Sequence, residues 1–125
     1  MANQLAKTYV VLSGAILVIV GVAGFYRREM FHLTFPLAHN LFHLLSGIIA
    51  LWMALAAGPN GVRQFGLIFG AIYTTLAIAG FAGLRNLGPI ELGLNPHYNV
   101  IHLGIGVLSL TAGVLGTKRQ GEGGG

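Results

Sequence analysis

Four apolar segments, each about 20 residues long, decide what this chain can fold into, because none contains Asp, Glu, Lys or Arg. They cover residues 8–26, 37–57, 65–84 and 98–116. A helix needs roughly 20 apolar residues to cross ~30 Å of hydrocarbon, whereas a barrel strand needs far fewer. Backbone polar groups must also be paired inside lipid, which favours helices. The sequence therefore predicts an all-α integral membrane four-helix bundle, with residues 1–125 forming a single domain.

The amino-acid composition also indicates a chain that is surrounded by lipid. Only 8% of the residues are charged, whereas a soluble domain carries about 25%. The net charge of +4 comes from just seven Lys and Arg, which flank the apolar segments as residues that contact lipid headgroups do. We expect membrane lipids as partners and no nucleic acid. Because the chain has no cysteine, disulfide and thiolate chemistry is excluded.

The second half of the chain repeats a pattern of the first half. The run Asn40-Leu-Phe-His43-Leu-Leu-Ser-Gly47 shares Asn, His, Leu and Gly with a run 59 positions later, at 99–106. The run Gly21-Val-Ala-Gly24-Phe25 similarly resembles 77–81. We therefore predict two tandem helical hairpins, at about 8–57 and 65–116, that form a parallel internal repeat. In this arrangement helices 2 and 4 run in the same direction.

Each repeat places one polar stripe on a helix face. Positions spaced by three and seven residues share a face, so a stripe forms in each copy. Polar side chains in lipid turn inward, and glycine allows close approach. Since helices 2 and 4 are parallel, the two histidines should lie at the same depth. The predicted structural motif and shared site consist of Asn40, His43 and Gly47 with Asn99, His102 and Gly106.

Three interpretations of this site remain open. The first is a structural clamp, in which Asn40 bonds His102 and Asn99 bonds His43, or each Asn bonds the histidine of its own helix. The second is a haem or chlorophyll-type pigment ligated by His43 and His102, because neutral imidazole is a good axial ligand. The third is a pH-responsive or proton-relay pair. We expect no metal-ion site, since no carboxylate or third firm ligand accompanies the pair.

The other three histidines lie in or beside the loops. The simplest interpretation of His32, His39 and His97 is that their side chains are solvated at the interface. His39 precedes His43 by four residues and could join its helix face.

Catalytic machinery is missing from the pattern. No Ser/His/Asp set or paired carboxylates can be assembled, because Glu29, Glu91 and Glu122 all lie outside the apolar segments. We predict a non-enzymatic protein that acts as a structural or accessory subunit of a larger membrane complex, packing on other membrane-protein subunits or on itself. The alternatives are a pigment-binding protein of a photosynthetic or respiratory assembly and a pH-responsive membrane protein.

Helix-starting residues indicate where one segment begins, and the basic residues weakly indicate the orientation of the chain in the membrane. Asn95-Pro96 is a typical helix start, and residues 117–125 are predicted to form a flexible tail. One side of the membrane, which carries both termini, would hold four basic residues and the other side three. This small excess favours cytoplasmic termini in a bacterial inner (cytoplasmic or photosynthetic) membrane. The two sets are Lys7, Arg63, Lys118 and Arg119 against Arg27, Arg28 and Arg85.

The duplicated Asn-x-x-His-Leu-x-x-Gly motif, with the Leu-Gly-Leu-Asn-Pro lead-in at 92–96, resembles the bacterial domain-of-unknown-function family four-three-eight-three. The resemblance extends from about Lys7 to Leu115. It implies a four-helix membrane protein and supplies no catalytic residues. The first lead-in, at 33–37, departs from the Asn-Pro form, which leaves the start of the second helix less defined.

Overall fold

Four long helices make up most of the molecule, which we describe from a computed structural model. It describes residues 2–30 and 33–122, with side chains up to Gly116. The helices are α1 (Ala2–Tyr26), α2 (Leu37–Leu55), α3 (Gly58–Phe81) and α4 (Pro96–Glu122), and all four are long and apolar enough to cross a membrane. The predicted all-α membrane bundle is therefore confirmed.

The outer faces of the helices are apolar. Large aliphatic side chains are exposed along them, including Ile19 at 66%, Ile78 at 63% and Val100 at 63%. In water such surfaces would associate, whereas lipid solvates them at no cost. The chain is thus a multi-pass membrane protein in contact with lipid.

The loops on one side of the bundle hold two short antiparallel hairpins that the sequence did not predict. Strand β1 (Glu29–Met30) pairs with β2 (Leu33–Thr34), and β3 (Asn86–Leu87) pairs with β4 (Ile90–Glu91). In the second hairpin the turn uses Gly88, whose φ of +57° suits a turn that glycine tolerates. Residues 31 and 32, and with them the prediction for His32, lie outside the described residues.

The helix ends confirm one prediction and correct two. The Asn95 Oδ1 accepts a 2.9 Å hydrogen bond from the Tyr98 N–H, so Asn95 caps α4 as predicted. Helix α3 begins at Gly58, earlier than the predicted 65, because Pro59 fits a first helical turn.

Helix α4 extends to Glu122, so most of the predicted flexible tail at 117–125 is helical. Its last three residues, 123–125, lie outside the described part of the chain.

Glycines let the helices pack closely within each hairpin. Helix α1 packs mainly on α2, and α3 mainly on α4. A Cβ on Gly14 would lie 3.1 Å from the Gly47 carbonyl oxygen, and one on Gly70 would lie 3.0 Å from that of Gly106. The two hairpins meet chiefly through α1 and α4, where the Tyr9 hydroxyl lies 2.8 Å from the Ser109 Oγ. Helices α2 and α4 lie diagonally across the bundle from each other, and the His39 and His102 rings meet between them, with centroids 5.8 Å apart.

Candidate metal centre

Three buried histidines meet between α2 and α4. His39 and His43 lie on the first two turns of α2, and His102 lies at the matching level of α4. Their side chains are 7%, 6% and 3% exposed. One ring nitrogen from each lies within 4.8 Å of the others. The predicted proximity of His43 and His102 is thus present, and His39 joins them.

The burial of His39 corrects the expectation that it is a solvated interfacial side chain. Its position one helical turn before His43 places both rings on the inner face of α2. The two ring centroids are 4.2 Å apart, and the two Nε2 atoms are joined by a 2.9 Å hydrogen bond. His97, by contrast, is exposed.

Hydrogen bonding assigns the tautomer of His39. Its Nδ1 lies 2.9 Å from the Leu92 carbonyl oxygen, which can only accept, so Nδ1 carries the hydrogen. In the neutral ring the lone pair is then on Nε2, which accepts from the His43 Nε2–H. This is the usual arrangement of a metal-ligating histidine, whose outer N–H is held by a carbonyl while the other nitrogen faces the ion.

Two fully buried ring nitrogens in the cluster have no hydrogen-bond partner in the described part of the chain. These are the Nδ1 atoms of His43 and His102, and both are buried. An unpaired buried polar group costs about 1–3 kcal/mol, and native proteins normally satisfy such groups with a protein atom, a water or an ion. The cluster therefore holds two buried ring nitrogens whose hydrogen-bonding capacity no described protein atom uses.

Aromatic rings hold His102 in place. The Tyr98 ring stacks on it at 5.5 Å with an interplanar angle of 21°, and the Tyr73 ring lies 5.5 Å away on α3. Tyr98 is itself fixed by a 2.8 Å hydrogen bond from its hydroxyl to the Thr34 carbonyl oxygen. Rings locked by packing keep ligand atoms in a defined position.

The asparagine stripes do not form the clamp with the histidines that we considered. The Asn40 Nδ2 donates to the Phe35 carbonyl oxygen at 3.2 Å. Its Oδ1 has no hydrogen-bond partner in the described residues and lies against Gly24, so close that a Cβ there would overlap it.

The second asparagine repeats this contact. Asn99 Oδ1 is likewise unpartnered among the described residues, and it lies against Gly80. In both cases the glycine Cα–H points at the oxygen, as in a weak C–H···O hydrogen bond. The asparagines therefore fasten α1 to α2 and α3 to α4, and they leave the histidines free of amide partners.

A pocket of about 310 Å³ opens beside the three histidines. All three line it, together with Tyr73. The other described residues that line it are apolar and come from α2, α3, strand β3 and the segment between β4 and α4. An apolar pocket with a few convergent polar groups is typical of a ligand site.

One comparison with known proteins finds a match. The family described as "Domain of unknown function (DUF4383)" matches residues 7–115. The chain belongs to this family. No curated protein and no solved structure is significantly similar to it. Membership of DUF4383 confirms the resemblance drawn from the duplicated motif, and it assigns no role to any residue.

Proposed function

We propose that this DUF4383 protein is a non-enzymatic membrane protein that binds a transition metal ion through His39, His43 and His102. The observation that carries the proposal is the convergence of three buried imidazole nitrogens within 4.8 Å of one another. Imidazole suits Zn, Cu, Fe and Ni ions. The sequence predicted no metal site because His43 and His102 lacked a third ligand, and in the structure His39 lies beside them as that third ligand.

The distances are compatible with an ion after small movements. Zn–N bonds of ~2.0–2.1 Å place tetrahedral ligand nitrogens about 3.3 Å apart. The 2.9 Å hydrogen bond between the His39 and His43 Nε2 atoms would open by about 0.4 Å. The widest separation, at most 4.8 Å, would close by about 1.5 Å, which rotation of a ring provides. His43 would also have to move its hydrogen from Nε2 to Nδ1.

A haem or chlorin held between His43 and His102 fits this arrangement less well. Its flat ring would have to lie between the two imidazoles. The His39 ring lies 4.2 Å from that of His43 and 5.8 Å from that of His102, so it occupies space next to both. Pigment binding therefore requires His39 to leave the cluster, whereas a single ion uses all three rings in place.

The wider expectations from the sequence stay predictions. These are the accessory-subunit role, the bacterial inner membrane with cytoplasmic termini, and the pH-responsive alternative.

We also propose that the two hairpins are copies of one ancestral hairpin. This proposal is supported by a shared contact: Asn40 and Asn99, which are 59 positions apart, each contact a glycine of the preceding helix.

Metal analysis of the protein in lipid nanodiscs tests the proposal. We expect one Zn²⁺ or Cu ion per chain after loading and dialysis, and visible bands when Co²⁺ replaces it. His39→Gln, His43→Gln and His102→Gln should each weaken Co²⁺ binding by about 100-fold or more. His97→Gln is the matched control, because His97 is an exposed histidine on the same helix as His102.

Three results would overturn the proposal. One is a wild-type protein that retains no metal. Another is a His97→Gln variant that loses as much affinity as the three cluster variants. The third is a Soret band, lost in His43→Gln and His102→Gln, which would show that a tetrapyrrole occupies the site. Thermal unfolding of each variant separates loss of the site from loss of the fold.

A further inference from the structure

We propose that the fourth ligand of the metal is an amphiphilic carboxylate, whose head binds the ion and whose alkyl chain lies in the adjoining pocket. This inference rests on the proposed metal site. It names the class of molecule that the site takes, namely a fatty-acid-like anion that arrives from the bilayer.

Charge requires an anion at this position. A divalent ion held by three neutral imidazoles keeps its full charge of about +2, and a charge in apolar surroundings is costly unless it is paired. None of the described residues that line the pocket is acidic. Among the described side chains, Glu29 and Glu91 are the acids, and both are exposed on the strands outside the spans. A bound carboxylate would supply the compensating charge, and carboxylate oxygen is a usual zinc ligand.

The walls of the pocket require an apolar body behind that head. Beyond the histidines and Tyr73, the lining includes Phe42 of α2, Ile72 and Leu76 of α3, and Leu87 of β3. A small hydrated anion such as acetate or chloride would leave these walls unfilled. An alkyl chain buries apolar surface against them, at a gain of about 0.8 kcal/mol per CH₂ when it comes from water.

The pocket also has the right position and direction. Leu87 stands at the loop end, whereas Ile72 lies nine residues before the end of α3 at Phe81, or about 13 Å deeper in the membrane. Phe42 and Ile72 are both 36% exposed on the outer surface, so the pocket reaches the lipid between α2 and α3. A molecule lying in the leaflet with its head at the interface would enter in this orientation.

Titration of the Co²⁺-loaded protein in phosphatidylcholine nanodiscs tests the inference. Dodecanoate should shift the visible Co²⁺ bands with saturation. Dodecanol, which has the same chain but no charge, and acetate, which has the charge but no chain, should leave the bands unchanged at matched concentrations. Ile72→Trp should fill the pocket and weaken the dodecanoate response about tenfold while Co²⁺ still binds. Ile78→Trp is the control, since Ile78 lies on the same helix and is 63% exposed.

The outcomes separate the two proposals. Failure of the wild-type protein to bind Co²⁺ overturns both. Bound Co²⁺ whose bands do not respond to dodecanoate, or respond equally to acetate, overturns only the amphiphilic ligand and leaves the metal site standing. An unchanged dodecanoate response in Ile72→Trp would show that the chain lies elsewhere, and it would equally reject the inference.

Discussion

A methyl group added at Gly24 should destabilise the bundle, because the space it needs is filled by the Asn40 side chain. A Cβ at this position would overlap the Asn40 Oδ1. Neither atom can move freely, since the Asn40 Nδ2 is bonded to the Phe35 carbonyl oxygen and Asn40 is only 2% exposed. Gly24→Ala must therefore displace a buried amide or separate α1 from α2.

The expected magnitude combines three contributions. Overpacking a close-packed interface costs about 1–3 kcal/mol. Displacing the Asn40 amide from its partner costs about 1–3 kcal/mol more. The better helix propensity of alanine offsets about 1 kcal/mol of this loss. We expect Gly24→Ala to lower the free energy of unfolding by about 1–5 kcal/mol. Gly80→Ala should destabilise the bundle through the same overlap with the Asn99 Oδ1, by about 1–3 kcal/mol before the gain in helix propensity.

Unfolding in mixed dodecylmaltoside–SDS micelles measures this difference. Gly104→Ala is the matched control, because a Cβ on this exposed α4 glycine meets nothing within 4 Å. The double variant Gly24→Ala/Asn40→Ala should lose about 1–3 kcal/mol less than the sum of its single variants, since removing the amide makes room for the methyl group. Equal stabilities of the Gly24→Ala and Gly104→Ala variants, or additive losses in the double variant, would refute the reasoning.

Three further predictions concern single contacts and the ion. Asn95→Ala removes the cap that accepts the Tyr98 N–H and should cost about 1 kcal/mol in the same unfolding assay; no change would mean that water replaces the cap. Tyr9→Phe removes the hydroxyl that lies 2.8 Å from the Ser109 Oγ and should also cost about 1 kcal/mol, whereas a neutral result would show that this contact between the hairpins is dispensable. Zn²⁺ at 100 times its dissociation constant should raise the free energy of unfolding by about 2.7 kcal/mol, and His102→Gln should abolish that gain; a gain retained in this variant would place the ion elsewhere.

The sequence predicted the spans well and their ends less well. Hydropathy identifies the apolar residues that lie in lipid, but it does not indicate whether the helix continues beyond them. Helix α3 starts at Gly58. Glycine and proline are typical of loops, but proline is equally suited to the first turn of a helix, so the sequence did not distinguish the two. The strand pairs at 29–34 and 86–91 consist of only two residues per strand, which is too short for an alternating pattern to be recognised.

The candidate site was found in part. Periodicity placed His43 and His102 on inner faces, because polar groups in lipid turn inward. It could not identify the partners across the helix interface, and so it paired each Asn with a histidine rather than with Gly24 or Gly80. The spacing of His39 from His43 was the available signal for the third nitrogen. The Leu92 carbonyl that orients His39 has no signal in the sequence, since every residue has such a group.

The close glycine contacts lie within each hairpin rather than between the two hairpins, and this affects how the protein is assembled. Each helix pair carries its own complete glycine-lined contact, so one pair can enter the bilayer and settle before its counterpart has left the translocation machinery. The imidazoles behave differently, because two come from the earlier pair and one from the later. They can meet only after both pairs have docked. Occupancy of the centre would then report that biogenesis is finished, and a chain halted after its first hairpin could not retain the ion.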